Sequence, residues 1–357
     1  MKVFHCDRCG HLLFFENSHC VACNAEVAFV PGQGLIALEP AGDDRYRALR
    51  GSLDGQSFRL CRNYREYQTC NWALPAEDSH DYCESCRLTR VVPDLSVPQQ
   101  RVAWFRLEMA KRRLVFTLLA LGVPVRNRED DPVAGLVFDF KADQPGVAAV
   151  VMTGHADGVI TISLAEADDG ERELRRQQLG EPYRTALGHV RHESGHYYWD
   201  RLVRNTPALT GYRALFGDER RDYGAALAQY YAAGPGPAWA DQFVSAYASS
   251  HPWEDWAETW AHYLHMVDAL ETAADNGLIV RPLRADEPSM APLPASASPA
   301  ALGFDQLMPS WVSLTYVLNN LNRSMGLPDG YPFVLSGPAV EKLRFVHEVI
   351  RQAAPVA

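Results

Sequence analysis

At 357 residues the chain is long enough for two domains and one large core. With 47% hydrophobic and 22% charged residues it has the balance of a globular protein, which excludes a disordered or fibrous chain. Thirty-four Lys and Arg against 44 Asp and Glu leave a net charge of −10, which argues against nucleic acid or an anionic membrane as the main partner.

The first residues, Met1-Lys2-Val3-Phe4-His5-Cys6, contain no apolar secretory core. All eight cysteines follow within the first quarter of the chain. Cys6 and Cys9, then Cys20 and Cys23, form two CxxC pairs at the separation of a hairpin, the pattern of a four-thiolate zinc ribbon. Gly10 relaxes the turn that aims backbone N–H groups at the sulfurs. Rubredoxin-like iron and a disulfide pair are the rival readings. Cys61, Cys70, Cys83 and Cys86 account for the remaining cysteines and give a second expected four-thiolate zinc, the alternative being buried unliganded thiols. Residues 1–90 hold ten Lys and Arg against twelve Asp and Glu, a balance of −2 with no basic stripe. The expectation for this module is a structural or protein-facing role, with nucleic-acid binding disfavoured.

Val92 to Pro98 reads as a turn-rich linker. The catalytic part then starts with a helix over Trp104 to Leu121. The longest strongly apolar run, Leu114 to Val125, is too short to span a bilayer and is expected to be core. Strands are expected at Gly135 to Phe140 and at Val159 to Leu164, the latter bounded by Asp157-Gly158. The second strand precedes the most informative motif, so it is either an edge that aligns an extended substrate or an interior strand without that role.

That motif is His192-Glu193-Ser194-Gly195-His196, an HExxH sequence. On a helix opened by Glu181-Pro182, the i and i+4 histidines share one face and can hold one zinc ion. Glu193 between them is placed to act as general base on a water at the ion's open position. Trp199 and Leu202 stand where a metzincin has its Gly and third His, which excludes that subclass. The third ligand is then expected on a later helix that starts at Pro252 and runs to about Ala274. Glu254 and Glu258 share one face of it. One can bind zinc while the other accepts a hydrogen bond from a ligand histidine. Trp253, Trp256 and Trp260 indicate that this helix is largely buried, where an unpaired carboxylate is costly.

Of the other histidines, His262 and His265 read as packing or hydrogen-bonding groups, His189 as a core histidine with a place behind the metal ligands or in the pocket as the alternative, and His155 as a residue that could line the cleft. Arg323 reads as a structural ion-pair partner, with a substrate carboxylate as the alternative. Arg281 to Pro299 is a Pro, Ala and Ser-rich exposed loop. Helical patterning resumes over Phe304 to Met325 and Pro338 to Gln352.

Tyr247-Ala248-Ser249-Ser250-His251-Pro252-Trp253-Glu254-Asp255-Trp256-Ala257-Glu258 resembles a stretch of gluzincin metallopeptidases such as the Mlc titration factor and, more loosely, anthrax lethal factor. The resemblance implies that Glu254 is the zinc ligand, Tyr247 the donor to the oxyanion, and Glu258 the carboxylate behind a ligand histidine or the alternative ligand. The whole chain is similar to a bacterial family of zinc-binding metallopeptidases with an N-terminal zinc ribbon. Cys6 to Gly10, Cys70-Asn71-Trp72, Glu181 to Arg184, Arg191 to Trp199, Trp253 to His265 and Asn322 to Met325 carry that similarity.

The expected fold is α+β, with a small β-rich zinc-ribbon module over 1–90 and a mostly helical, zincin-like domain with a small sheet over 91–357. The expected function is that of a cytoplasmic zinc metallopeptidase of gluzincin type, with one catalytic and two structural zinc ions, acting on a peptide or protein and free of membrane. The rival is a catalytically silent, zinc-stabilised interaction scaffold that uses the ribbons to bind protein.

Overall fold

The computed structural model describes residues 2–143, 150–179, 183–281 and 301–354, and contacts divide the chain into two compact units. The class is α+β, with the cysteine-rich ribbon at the N-terminus and a helical C-terminal part.

The first unit comprises residues 1–119, 125–153 and 161–168. A short hairpin, β1 (Phe4–His5) with β2 (Leu12–Leu13), carries the first cysteine pair at its turn. A five-stranded antiparallel sheet follows in the order β3 (Glu26–Val30), β4 (Gly34–Gly42), β5 (Arg45–Ala48), β6 (Ser57–Leu60) and β7 (Ala73–Pro75). It curls until Phe29 of β3 bridges Trp72, just before β7. Phe15, Phe29, Trp72 and Phe116 pack edge to face in one buried cluster beside it. The short α1 (Arg62–Tyr67) joins β6 to β7, and β8 (Thr89–Val91) ends the cysteine-rich stretch.

The helix α2 spans Pro98–Ala120, so it starts six residues earlier than the sequence expectation. Pro98, taken for the end of the linker, is its first residue, where a missing N–H and a fixed φ suit a helix start. Leu114, Val115 and Leu118 of the apolar run are buried in this helix. Its middle also buries charge. Lys111 pairs with Glu108 at 2.9 Å and bonds Thr89, so neither ion is left unpaired. Among the described residues no helix is long and apolar enough to cross a membrane.

Strands β9 (Val137–Lys141), β10 (Gly154–Ala156) and β11 (Val159–Ser163) complete a sheet of order β10-β11-β9-β8, with β8 and β9 parallel. This settles the two readings of the strand before the HExxH motif. Among the described residues the strand over Val159–Ser163 is interior, and the three-residue β10 is the edge.

The second unit comprises residues 120–124, 154–160 and 169–357. Its helices are α3 (Asp169–Leu179), α4 (Ala186–Leu202), α5 (Ala208–Phe216), α6 (Tyr223–Ala233), α7 (Pro252–Asp275), α8 (Phe304–Ser324) and α9 (Gly337–Ala353). Glu181 and Pro182 lie outside the described residues, as does the expected loop from 282 to 299. The HExxH helix itself starts at Ala186, where the Thr185 hydroxyl accepts from Gly188 N–H at 2.9 Å. For α7, Pro252 occupies the first position and the His251 imidazole caps Trp253 N–H.

α4 and α7 are the central pair. A Cβ built on Gly195 would stand 2.9 Å from Ala257 Cα and 3.2 Å from Trp260 Cβ, so only glycine permits this approach. Two indoles fasten the contact. Trp256 Nε1 donates to Gly195 O at 2.8 Å, and Trp260 Nε1 donates to Ser194 Oγ at 3.0 Å. A buried pair, Lys342 Nζ to Asp255 Oδ2 at 2.7 Å, ties α9 to the first turn of α7.

Gly195→Val is predicted to lower stability by about 1–3 kcal/mol, the usual cost of overpacking, although valine has the higher helix propensity. Chemical denaturation measures this, and an unchanged or raised midpoint would mean that the two helices have slack at this point.

Candidate active site

The cysteines meet in two groups, Cys6, Cys9, Cys20 and Cys23, and Cys61, Cys70, Cys83 and Cys86. In the first, both CxxC turns close in the same way. Gly10 N–H returns to Cys6 O and Asn24 N–H to Cys20 O, each at 2.8 Å, with φ of +73° at Gly10 and +55° at Asn24. Asp7, inside the first turn, accepts from Ala37 N–H and Arg50 Nε, which anchors the turn to β4. In the second, Trp72 N–H points at Cys70 Sγ and Cys83 N–H at Cys61 Sγ. Sulfur separations of 3.6 and 3.7 Å in the first group and 3.7 Å in the second are far too long for a disulfide. They fit four thiolates about 2.3 Å from one zinc, which stand about 3.8 Å apart.

The third group lies where α4 meets α7. One donor atom each from His192, His196 and Glu254 lies within 4.8 Å of the others. Glu254 Oε2 is 2.9 Å from His192 Nε2, and Oε1 is 3.4 Å from His196 Nε2. Ligands about 2.0–2.1 Å from one tetrahedral ion stand about 3.4 Å apart, so the donor set fits zinc. Glu258, one turn further along α7, holds the other side of His192. Its Oε1 is 2.6 Å from Nδ1, and its Oε2 accepts from the Ser245 hydroxyl at 2.6 Å. With Nδ1–H donated to Glu258, the Nε2 lone pair of His192 faces a carboxylate oxygen. That arrangement calls for a cation between them.

Without an ion, a proton would take that place: burial opposes a charged His192, but Glu254 and Glu258 outweigh it and push its pKa well above the histidine range. Burial also raises the Glu254 carboxyl, yet His196 and His192 hold it well below the usual carboxylate range. For Glu258, burial is outweighed by His192, and the result is a pKa of about 2. Glu193, buried beside them, is raised by desolvation, with His192 and His196 offsetting part of the shift.

The structure brings Tyr247 to the same place. It stands in a 3-10 turn, Tyr247–Ser249, with its ring centroid 6.0 Å from that of His192. Burial pushes its pKa up, so the phenol keeps its proton and is a donor. Ser245 accepts from Ala248 N–H while it donates to Glu258, which links this turn to the carboxylate behind His192. His155 of β10 also lies here, stacked 6.4 Å from His196 and edge to face with Trp253 at 6.2 Å. His189 is near enough to Glu193 to act on its carboxyl.

The remaining expected residues are elsewhere. His262 Nδ1 meets the Tyr331 hydroxyl at 2.7 Å, and His265 Nδ1 meets Arg191, which pairs with Asp268. Arg323 forms a surface ion pair with Asp329 at 2.7 Å. Sequence reasoning missed Tyr223, whose hydroxyl donates to Glu254 Oε1 at 2.6 Å, as well as Ser245 and the packing of Trp253 at 4.2 Å from His196. The Asp222 cap before Tyr223 could have marked the start of α6, but nothing local in the sequence joins Tyr223 to Glu254.

Residues 100–349 match a family described as "Putative zinc-binding metallo-peptidase", and residues 3–97 match a zinc-ribbon domain. Uncharacterised proteins of Mycobacterium bovis and Mycobacterium tuberculosis are 42% identical over 356 residues, which covers 99% of this chain and 97% of each relative. No solved structure matches the chain.

Elemental analysis of metal-replete protein is predicted to find about three zinc ions per chain, two in the thiolate groups and one in the His and Glu group. One zinc or fewer would contradict the donor sets described. Mild chelation should remove the His and Glu ion first, because an open site exchanges faster than a closed thiolate site. Glu254→Ala should lose that ion and keep the other two, whereas Glu258→Ala should weaken its binding by roughly 10–100-fold. If Glu258→Ala emptied the site and Glu254→Ala left it full, the two carboxylates would have their roles reversed.

Proposed function

The chain belongs to the putative zinc-binding metallo-peptidase family, and from that premise we propose that it hydrolyses peptide bonds as a gluzincin-type enzyme, with His192, His196 and Glu254 as zinc ligands and Glu193 as general base. The observation that carries this reading is the buried Glu193 carboxylate beside three converging donor groups. Bound there, zinc supplies the Lewis acidity that polarises the scissile carbonyl and acidifies water. Glu193, held above the usual carboxylate range, takes a proton from the attacking water and returns it to the leaving amine. Tyr247, kept protonated by burial, donates to the carbonyl oxygen as it gains charge. Glu258 fixes the tautomer and tilt of His192 and is fixed in turn by Ser245.

An extended peptide has a place to lie. β10 is a sheet edge and packs against α4, so main-chain hydrogen bonds to Gly154–Ala156 would hold a substrate beside the histidines. The substrate in this reading is a peptide or protein, and the cysteine-rich module is a structural or protein-binding element. Eight cysteines, none in a disulfide, suit a reducing compartment, and we propose a cytoplasmic location.

Glu193→Gln should leave zinc content and Tm nearly unchanged, and should lower turnover roughly 10²–10⁴-fold on a substrate selected from a peptide library. Tyr247→Phe should keep zinc and fold and lose about 10²–10³-fold in kcat with little change in KM. If wild type and Glu193→Gln proved indistinguishable across the library, a zinc-stabilised scaffold would replace the enzyme reading.

A further inference from the structure

Tyr223 belongs to no motif, yet its hydroxyl is bonded to the carboxylate at the centre of the site. Three features hold it there. The Asp222 side chain caps α6 by accepting from Ala225 N–H at 2.8 Å, which sets Tyr223 as the first residue of that helix. His251, the cap of α7, faces Arg221 O through Nε2 at 3.1 Å while Nδ1 accepts from Trp253 N–H, so one imidazole joins the start of α6 to the start of α7. The Tyr223 ring then packs edge to face on His251 at 5.2 Å and on Trp253 at 5.7 Å. With the ring fixed on two sides, the hydroxyl reaches Glu254 Oε1 at 2.6 Å.

A carboxylate on a side chain with several rotatable bonds has many ways to face an ion. Glu254 is 1% exposed, and its Oε1 has a fixed donor in the Tyr223 phenol. That bond leaves Oε2 directed at His192 Nε2, 2.9 Å away. We propose that Tyr223 is a positioning residue for the metal: its hydroxyl, bonded to Glu254 Oε1, fixes the carboxylate orientation that the ion requires. The inference rests on His192, His196 and Glu254 being the zinc ligands. It assigns no proton transfer to Tyr223. Its effect is on metal affinity and ligand-field geometry, and turnover follows from those.

The experiment uses the full-length protein after mild chelation, with the thiolate zincs retained. Zinc is titrated back against a competing chromophoric chelator, and cobalt is added in parallel to read the d–d absorption of the emptied site. Tyr223→Phe keeps the ring packing and removes only the hydroxyl. It is expected to weaken zinc binding by roughly 10–100-fold and to alter the cobalt band, with the Tm of the chelated protein unchanged. Should the phenylalanine variant not fold, Tyr223→Leu repeats the test with another apolar side chain that has no donor. Wild-type affinity and a superimposable cobalt spectrum in a folded variant would overturn the proposal. Glu254→Ala in the same titration separates the two readings. If Glu254→Ala loses the ion and Tyr223→Phe does not, only the role of Tyr223 fails. If Glu254→Ala still binds as wild type does, the ligand assignment fails as well.

Discussion

The distance between α4 and α7 is set where Gly195 meets Ala257. Any side chain at 195 would press on the backbone of α7, and the two indoles that bond across the seam would lose their acceptors. This one contact fixes what the site needs. α4 presents His192 and His196 one turn apart, and α7 presents Glu254 and Glu258 one turn apart. Neither helix can form the cluster alone. At this close approach the Glu254 carboxylate reaches both Nε2 atoms, while Glu258 reaches the far nitrogen of the same His192. A wider seam would leave buried carboxylates facing buried imidazoles with neither ion nor proton between them, a costly arrangement.

The polar groups around that cluster extend outward as bonded chains. Ser245 joins Glu258 to the turn that carries Tyr247, and Tyr223 joins Glu254 to the start of α6. The Asp255 and Lys342 pair holds the first turn of α7 to α9 from the opposite side. Burial of this kind costs stability unless every charge has its partner. The same burial shifts Glu193 upward and keeps Tyr247 protonated, the two states that the proposed acid–base and oxyanion roles require.

The parts of this arrangement that are local in sequence were legible there. An i, i+4 pair on a helix is visible as HExxH, and four thiols around a turn are visible as CxxC. Pro252 marked the start of α7, and its three tryptophans foretold a buried helix; Trp256 and Trp260 are fully buried. What was not legible depends on contacts between distant segments. Spacing left Glu254 and Glu258 interchangeable, and only their different faces toward His192 distinguish them. Tyr223 lies 31 residues before Glu254 and meets it through the caps of two helices. β10 is three residues long, too short for an alternating pattern, so only its longer neighbour β11 is visible as a candidate edge, and its pattern leaves edge and interior positions equally open. The start of α2 was misplaced because Pro98 serves a turn or a first helical turn equally well.

In the proposed site α4 and α7 together hold one zinc ion between His192, His196 and Glu254. Anomalous diffraction at the zinc edge from crystals of the full-length protein tests it most directly. The expected map has a peak in each four-cysteine group and a third within bonding distance of His192 Nε2, His196 Nε2 and a Glu254 oxygen, with Glu258 bonded to His192 and not to the ion. A fully metallated crystal with no peak at the third position, or with Glu258 in place of Glu254 around it, would contradict it.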